Sequence, residues 1–137
     1  MSHYTRMRTA LRDADVLAAA LKEVGLRPVE VHDQPQPLGG YWGRGTAHRA
    51  EVIVRREHAA GAHADIGFAR QPDGSFATVL DSMDHSRYGN QWLTRLTRAY
   101  GHAAALKYAS EHGFEVLTDE AEHDGTRRLT LRRVSVV

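Results

Sequence analysis

The chain has 137 residues, a formal net charge of +1 at pH 7, and hydrophobic and charged fractions of 42% and 26%. That length is enough to bury one hydrophobic core, and the balanced charge argues neither for nor against any partner. With no cysteine present, disulfides, thiolate zinc sites, cysteine-held iron–sulfur clusters and cysteine nucleophiles are excluded.

No apolar run approaches the roughly 20 residues of a membrane-spanning helix. The opening "MSHYTRMRTALRD" lacks the apolar core of a signal peptide, so a cytoplasmic location and no membrane partner are expected. Tyr4, Arg6 and Arg8 alternate with Thr5, Met7 and Thr9, which reads as a first strand. In "DADVLAAALKEVG", Val16, Leu17, Ala20, Leu21 and Val24 share one helical face. Asp13 or Asp15 is suited to cap that helix, and Gly25 to end it. "RPVEVH" follows as a short strand. Residues 33–47, "DQPQPLGGYWGRGTA", hold two prolines and four glycines and predict a long loop.

"HRAEVIVRRE" resumes as a strand around Val52 and Val54. In "HADIGFARQPDGSFATVLD", Ile66 and Phe68 share a face and "QPDG" supplies a turn. Pro72 presets φ there, Asp73 bonds the local backbone, and Gly74 accepts positive φ. After the irregular "DSMDHSRYGN", a helix over about residues 91–112 carries Trp92, Leu93, Leu96, Tyr100, Ala103 and Ala104 on its apolar side. Gly101 inside it costs about 1 kcal/mol relative to Ala, which predicts a compensating close contact or bend. "GFEVLTDE" and "TRRLTLRRVSV" close as a hairpin around "HDG". The apolar phase moves from Leu129 and Leu131 to Val134 and Val136, predicting a bulge near Arg132 or Arg133.

The order is β-α-β-β-β-β-α-β-β, with an echo between "VLAAALKEVGLRPVEV" and "HAAALKYASEHGFEVL". A single α+β domain over residues 1–137 is expected: an antiparallel sheet with two helices on one face, built from two β-α-β-β halves.

Four stretches carry a family resemblance: "MSHYTRMRTALRDADVLAAALKEVG", "GGYWGRGTAHRAEVIVR", "DIGFARQPDGSF" and "LTRLTRAYGHAAALKYASEHGFEV". The chain resembles, over nearly its whole length, the uncharacterised family that includes the chloroplast hypothetical reading frame thirty-five. The most specific markers are Met1–Ser2–His3–Tyr4, Asp65–Ile66–Gly67–Phe68, and Arg98–Ala99–Tyr100 leading to Gly113–Phe114. The family carries no established activity. Its gene neighbourhoods include an AAA-type ATPase, which implies an accessory or adaptor role. The chain departs from the family pattern after the hairpin, where a tryptophan is expected and the segment reads "DSMDHSRY".

The loop residues Tyr41, Trp42 and Arg44 are candidate partner-binding residues, because Tyr, Trp and Arg are enriched at interaction hot spots. The alternative is that Trp42 folds back onto the core. No Lys-Ser/Thr follows the glycines, so a phosphate-binding loop is poorly supported. His48, His58 and His63 are near enough in sequence to be weighed as zinc ligands. None of them has the i, i+4 spacing of a helical metal motif, and no metal or other cofactor is expected. His85, His112 and His123 read as surface residues.

His3, at the start of the first strand, reads as a pocket residue or as a strand residue hydrogen-bonded to its neighbour. Asp65 precedes a buried strand and needs a partner; a structural acceptor role is the simpler reading, and Asp81, Asp84 and His85 lie near it. "RRLTLRR" at 127–133 places Arg128, Thr130 and Arg132 in a basic strip, but the preceding "TDEAEHD" supplies counter-charges. Without stacking aromatics on that strand, nucleic-acid binding is not favoured. The expected function is a non-catalytic binding or adaptor protein of an AAA-type ATPase system. The alternative is a small ligand-binding protein or enzyme with a polar pocket around His3, Tyr41, Asp65 and Tyr100. An exposed edge strand would also offer a route to a homodimer.

Overall fold

The computed structural model describes residues 4–40 and 48–134. In chain order they form β1 (Tyr4–Arg8), α1 (Ala14–Glu23), β2 (Glu30–Pro37), β3 (Arg49–Val54), β4 (Ile66–Arg70), β5 (Phe76–Asp81), α2 (His85–Tyr88), α3 (Asn90–Glu111), β6 (Phe114–Ala121) and β7 (Arg127–Arg133). The fold is α+β, as expected. Five strands make one antiparallel sheet in the order β1-β5-β4-β3-β2, and α1 and α3 cover one face.

That face follows from strand alternation, which sends every second side chain to one side. Phe76 and Leu80 of β5, Ile66 and Phe68 of β4, and Val52 and Val54 of β3 form one buried cluster with Leu17 and Leu21 of α1 and Trp92 and Leu96 of α3. The opposite face holds a smaller cluster of Leu38, Ala50, Ile53, Ala69 and Val79, with Tyr4 against it.

Local chemistry sets the element ends. Asp13 caps α1, its Oδ1 accepting from the backbone N–H of Asp15 at 2.9 Å and of Val16 at 3.1 Å. The β4–β5 turn closes through Gln71 N–H to Ser75 O at 2.7 Å, with Gly74 at φ 88 and Asp73 accepting from Ser75 N–H. Gly89 separates α2 from α3, since a Cβ there would collide with the His85 carbonyl oxygen.

Four expectations are corrected. Strand β2 extends through Pro37, so the irregular segment starts later than residue 33; an interruption between Val31 and Gln36 lets the polar "DQPQP" run along the sheet edge. Prolines are tolerated there because an edge N–H needs no ladder partner. The closing hairpin is a separate two-stranded sheet. Strands β6 and β7 pair only with each other, and α3 packs against β6 and α1.

The irregularity in that hairpin lies in β6, between Val116 and Thr118, while β7 continues through Arg132 and Arg133. Finally, Gly101 has neither a close neighbour nor a break in α3: a Cβ there would meet nothing within 4 Å. Gly101→Ala is therefore expected to stabilise the protein by about 1 kcal/mol. A rise in the denaturation midpoint with an unchanged slope would verify it, and a fall would reveal a contact that the free Cβ space does not suggest.

Candidate functional site

The polar groups singled out in the sequence gather at one end of the sheet, mostly on the face away from the helices. Tyr4 and Asp81 are cross-strand partners on β1 and β5. Asp65 stands one residue before β4, and Asp84 ends the single 3-10 turn after β5. All three aspartates are buried.

Asp65 is fully engaged. Its Oδ2 accepts from Gly39 N–H at 2.7 Å and Arg55 Nη1 at 2.8 Å, and its Oδ1 from Arg56 N–H at 2.9 Å. The Arg55 guanidinium also grips Glu30 through Nε at 2.9 Å and Nη2 at 3.0 Å, and donates to the Pro37 carbonyl at 3.0 Å. This two-pronged contact, helped by His32, holds the Glu30 carboxyl down at about 2. Arg55 in turn is shifted further up by Glu30 and Asp65.

The sign of the pH effect follows. A depressed carboxyl stabilises the fold fully above its unfolded value of 4.5, and the gain is lost as pH falls to about 2. Glu30→Gln is expected to melt below the native protein at neutral pH, with the gap closing as pH drops from 4.5 towards 2. Melting curves across that range provide the test; a gap independent of pH would assign the loss to packing.

Asp84 braces a neighbouring loop. Its Oδ1 accepts from His63 N–H at 2.8 Å and lies 3.0 Å from His63 Nδ1, and its Oδ2 accepts from Ala64 N–H at 3.2 Å. Tyr4 donates its hydroxyl to the Gly39 carbonyl at 2.9 Å and places its ring 4.9 Å from that of His48. Burial, with Asp65, Asp81 and Asp84 nearby, raises the Tyr4 phenol above its ordinary range, so at neutral pH it is a donor and not a base. His85 bonds Thr5 of β1.

Asp81 is the one carboxylate here with a spare oxygen. Its Oδ1 accepts from Met83 N–H at 2.8 Å, while its buried Oδ2 has no partner. A buried, half-satisfied carboxylate costs stability.

Chemically, this arrangement is a polar knot that ties Pro37, Gly39, residues 55–56, 63–65 and Asp84 together. Among the described residues no group of three His, Cys, Asp or Glu side chains could hold a metal ion. His48 sits tilted against Tyr4, His63 bonds Asp84, and His58 lines a separate cleft.

The sequence-derived pocket is not assembled by its described members. Tyr100 lies on the helix side, its hydroxyl accepting from Asp13 N–H at 2.9 Å and Arg12 N–H at 3.3 Å. It joins α3 to the start of α1, while Asp65 serves Arg55 and the loops. His3, Tyr41, Trp42 and Arg44 lie outside the described residues. Arg128 of the basic strip faces Glu122 of "TDEAEHD", while Arg132 faces Glu115, which lies upstream of that segment.

The family comparison bears on the same residues. A model described as a protein of unknown function, DUF1257, matches residues 20–130. The chain belongs to the DUF1257 family. The uncharacterized protein ycf35 of Guillardia theta is 25% identical over 134 residues, covering 97% of this chain and 98% of the relative. Its counterparts in Cyanophora paradoxa and Pyropia yezoensis are 23% and 22% identical with the same coverage. The resemblance read from the markers is thereby shown. No solved structure is a significant match.

In this DUF1257 chain Asp65–Ile66–Gly67–Phe68 has a clear physical use. Asp65 holds the knot, Ile66 and Phe68 enter the main core, and Leu38 lies where a Gly67 Cβ would come within 2.8 Å of it. In the segment after the hairpin, Tyr88 is buried edge-on to Trp92 at 5.3 Å and donates to the Ala60 carbonyl at 2.6 Å. Sequence reasoning passed over Arg55, Glu30 and His102. His102 spans Asp119 of β6 at 2.7 Å and Glu23 of α1 at 3.6 Å, and no local period marks it.

Proposed function

We propose that this DUF1257 chain is a non-catalytic binding module that docks a protein partner through its β6–β7 hairpin. The observation that carries the reading is the apolar surface there. Val116, Leu117, Leu131 and Val134 are between 36% and 50% exposed, and Tyr108 at the end of α3 is 55% exposed. Among the described residues, the other exposed large apolar side chains are Val31 and Met83. Val116 and Leu131 are direct cross-strand partners, so they present one continuous patch. Exposed apolar clusters of this kind mark interaction surfaces.

The polar knot supports binding over catalysis, because Asp65 and Asp84 are occupied by backbone and cation donors. The gene neighbourhood implied by the family resemblance supports an AAA-type ATPase as the partner, with this chain as its accessory subunit. No helix among the described residues is long and apolar enough to cross a membrane.

The test is co-purification of the tagged chain with the host AAA-type ATPase. Native protein is expected to retain the ATPase, and a Val116→Lys, Leu131→Lys pair to release it while melting normally. Retention by the pair but release by Trp42→Ala would move the contact to the glycine-rich loop. Absence of the ATPase from the native sample would overturn the assignment.

A further inference from the structure

A second feature stands apart from both the knot and the hairpin. A cleft of about 510 Å³ opens between the end of α1, the 3-10 turn at Arg56–His58, and helices α2 and α3. Its ionisable lining is Arg27, Arg87, Arg95, His58 and a single acid, Glu57. Tyr88 and Trp92, both buried, form its floor. The volume lies within the range of small-ligand sites, roughly 300–1,000 Å³.

Three arginines sharing one cavity repel each other unless something answers their charge. Among the described residues, neither Arg87 nor Arg95 has a carboxylate within ion-pair distance. Arg27 spends one Nη2 donor on the Lys22 carbonyl at 3.2 Å. Arg87 is laid across Gly61, close enough that a Cβ there would sit 2.7 Å from its Nε. That packing holds the guanidinium at the cleft wall.

The helix termini around the cleft do not cancel this charge. The carboxyl end of α1 is electronegative by its dipole, but its carbonyls are answered: Ala20, Leu21 and Lys22 accept from Val24, Leu26 and Gly25 N–H respectively. The first turn of α3 carries no acidic residue and no capping side chain. A neighbouring groove of about 360 Å³ shares Val24 and Arg95 and adds Arg98 and Arg127. There, however, Arg127 is already held by Asp119 at 2.9 Å, and Glu23 shares the lining. The first cleft gathers three arginines against a single acid.

We propose that this cleft is an anion site that takes a phosphorylated small molecule, its phosphate held between Arg87 and Arg95. Planar guanidinium forks match phosphate oxygens two at a time, which is why clustered arginines select that group. The site is independent of the docking reading and shares no residue with the hairpin patch.

The experiment is calorimetric titration of the full chain with inorganic pyrophosphate at low ionic strength. Saturable one-to-one binding is expected, weakened at least about tenfold by Arg87→Ala with Arg95→Ala, as befits the loss of charge-assisted hydrogen bonds. Glu57→Gln removes the only opposing charge and is expected to tighten binding about threefold at low salt. Arg132→Ala, on the hairpin, is expected to leave it unchanged. The Trp92 indole N–H resonance, reporting from the cleft floor, should shift on saturation in native protein.

Absent saturation, or equal weakening by Arg132→Ala, would overturn the site. So would a single-stranded oligonucleotide that binds more tightly than pyrophosphate and depends on Arg128 and Arg132. Arg87 and Arg95 are exposed, and an unchanged melt confirms that the double variant folds. The Glu57→Gln gain gives a second reading that misfolding cannot imitate.

Discussion

Replacing Arg55 with alanine should destabilise the protein by about 3–5 kcal/mol, the usual consequence of removing one partner from a buried ion pair. The side chain of Asp65 is 5% exposed and that of Arg55 is 12% exposed, so truncating Arg55 leaves a carboxylate that water cannot fully reclaim. Two backbone donors, Gly39 and Arg56 N–H, still reach Asp65, which keeps the loss near the lower end of that range. Glu30 also loses its strongest partner, but it is more exposed and contributes less. Arg55→Lys retains the charge without the fork that serves Glu30 and Asp65 together, and an intermediate loss is expected. Urea denaturation of the three proteins ranks them. A loss below 1 kcal/mol for Arg55→Ala would show that Asp65 is satisfied by the backbone alone.

The other large effect lies across the sheet. Phe68→Ala is expected to cost about 3–5 kcal/mol, the sum of lost burial and the cavity left behind. Phe68 is fully buried at the centre of β4, between cross-strand neighbours Val52 and Thr78, with its ring 6.5 Å from that of Trp92. Helices α1 and α3 both pack on that cluster, so little room exists for collapse. Phe68→Leu restores most of the volume, and a much smaller loss is expected. Phe68 and Arg55 share no partner, so the losses in a Phe68→Ala, Arg55→Ala double variant should add within about 0.5 kcal/mol. A departure larger than that would mean that the polar knot and the main core relax together.

What could be read along the chain were features whose causes lie within a few residues. The Asp13 cap, the "QPDG" turn and the apolar faces of α1 and α3 each follow from local hydrogen bonds or a fixed period, and each is present in the fold. Fold class and the order of the strands and the two long helices came with them, because alternating and helical periods differ in kind; the short α2, inside the segment read as an irregular loop, did not. Asp65 was legible as a buried acceptor, since an aspartate before an apolar strand must find donors.

Features depending on contacts between distant residues carried no such period. Glu30 and Arg55 are 25 positions apart, and their meeting depends on the β2–β3 pairing and the irregularity between Val31 and Gln36. That the last hairpin stands alone depends on which strands meet in space, a relation between separate elements. The arginine cleft is further from view still. Arg27, Arg87 and Arg95 come from three segments whose charges look like ordinary solvated surface in the sequence. By itself the sequence determined the local elements, their caps and turns, and the family. Only the tertiary structure decided which charges are paired and which face an open cavity, because Coulomb attraction acts through space and not along the chain.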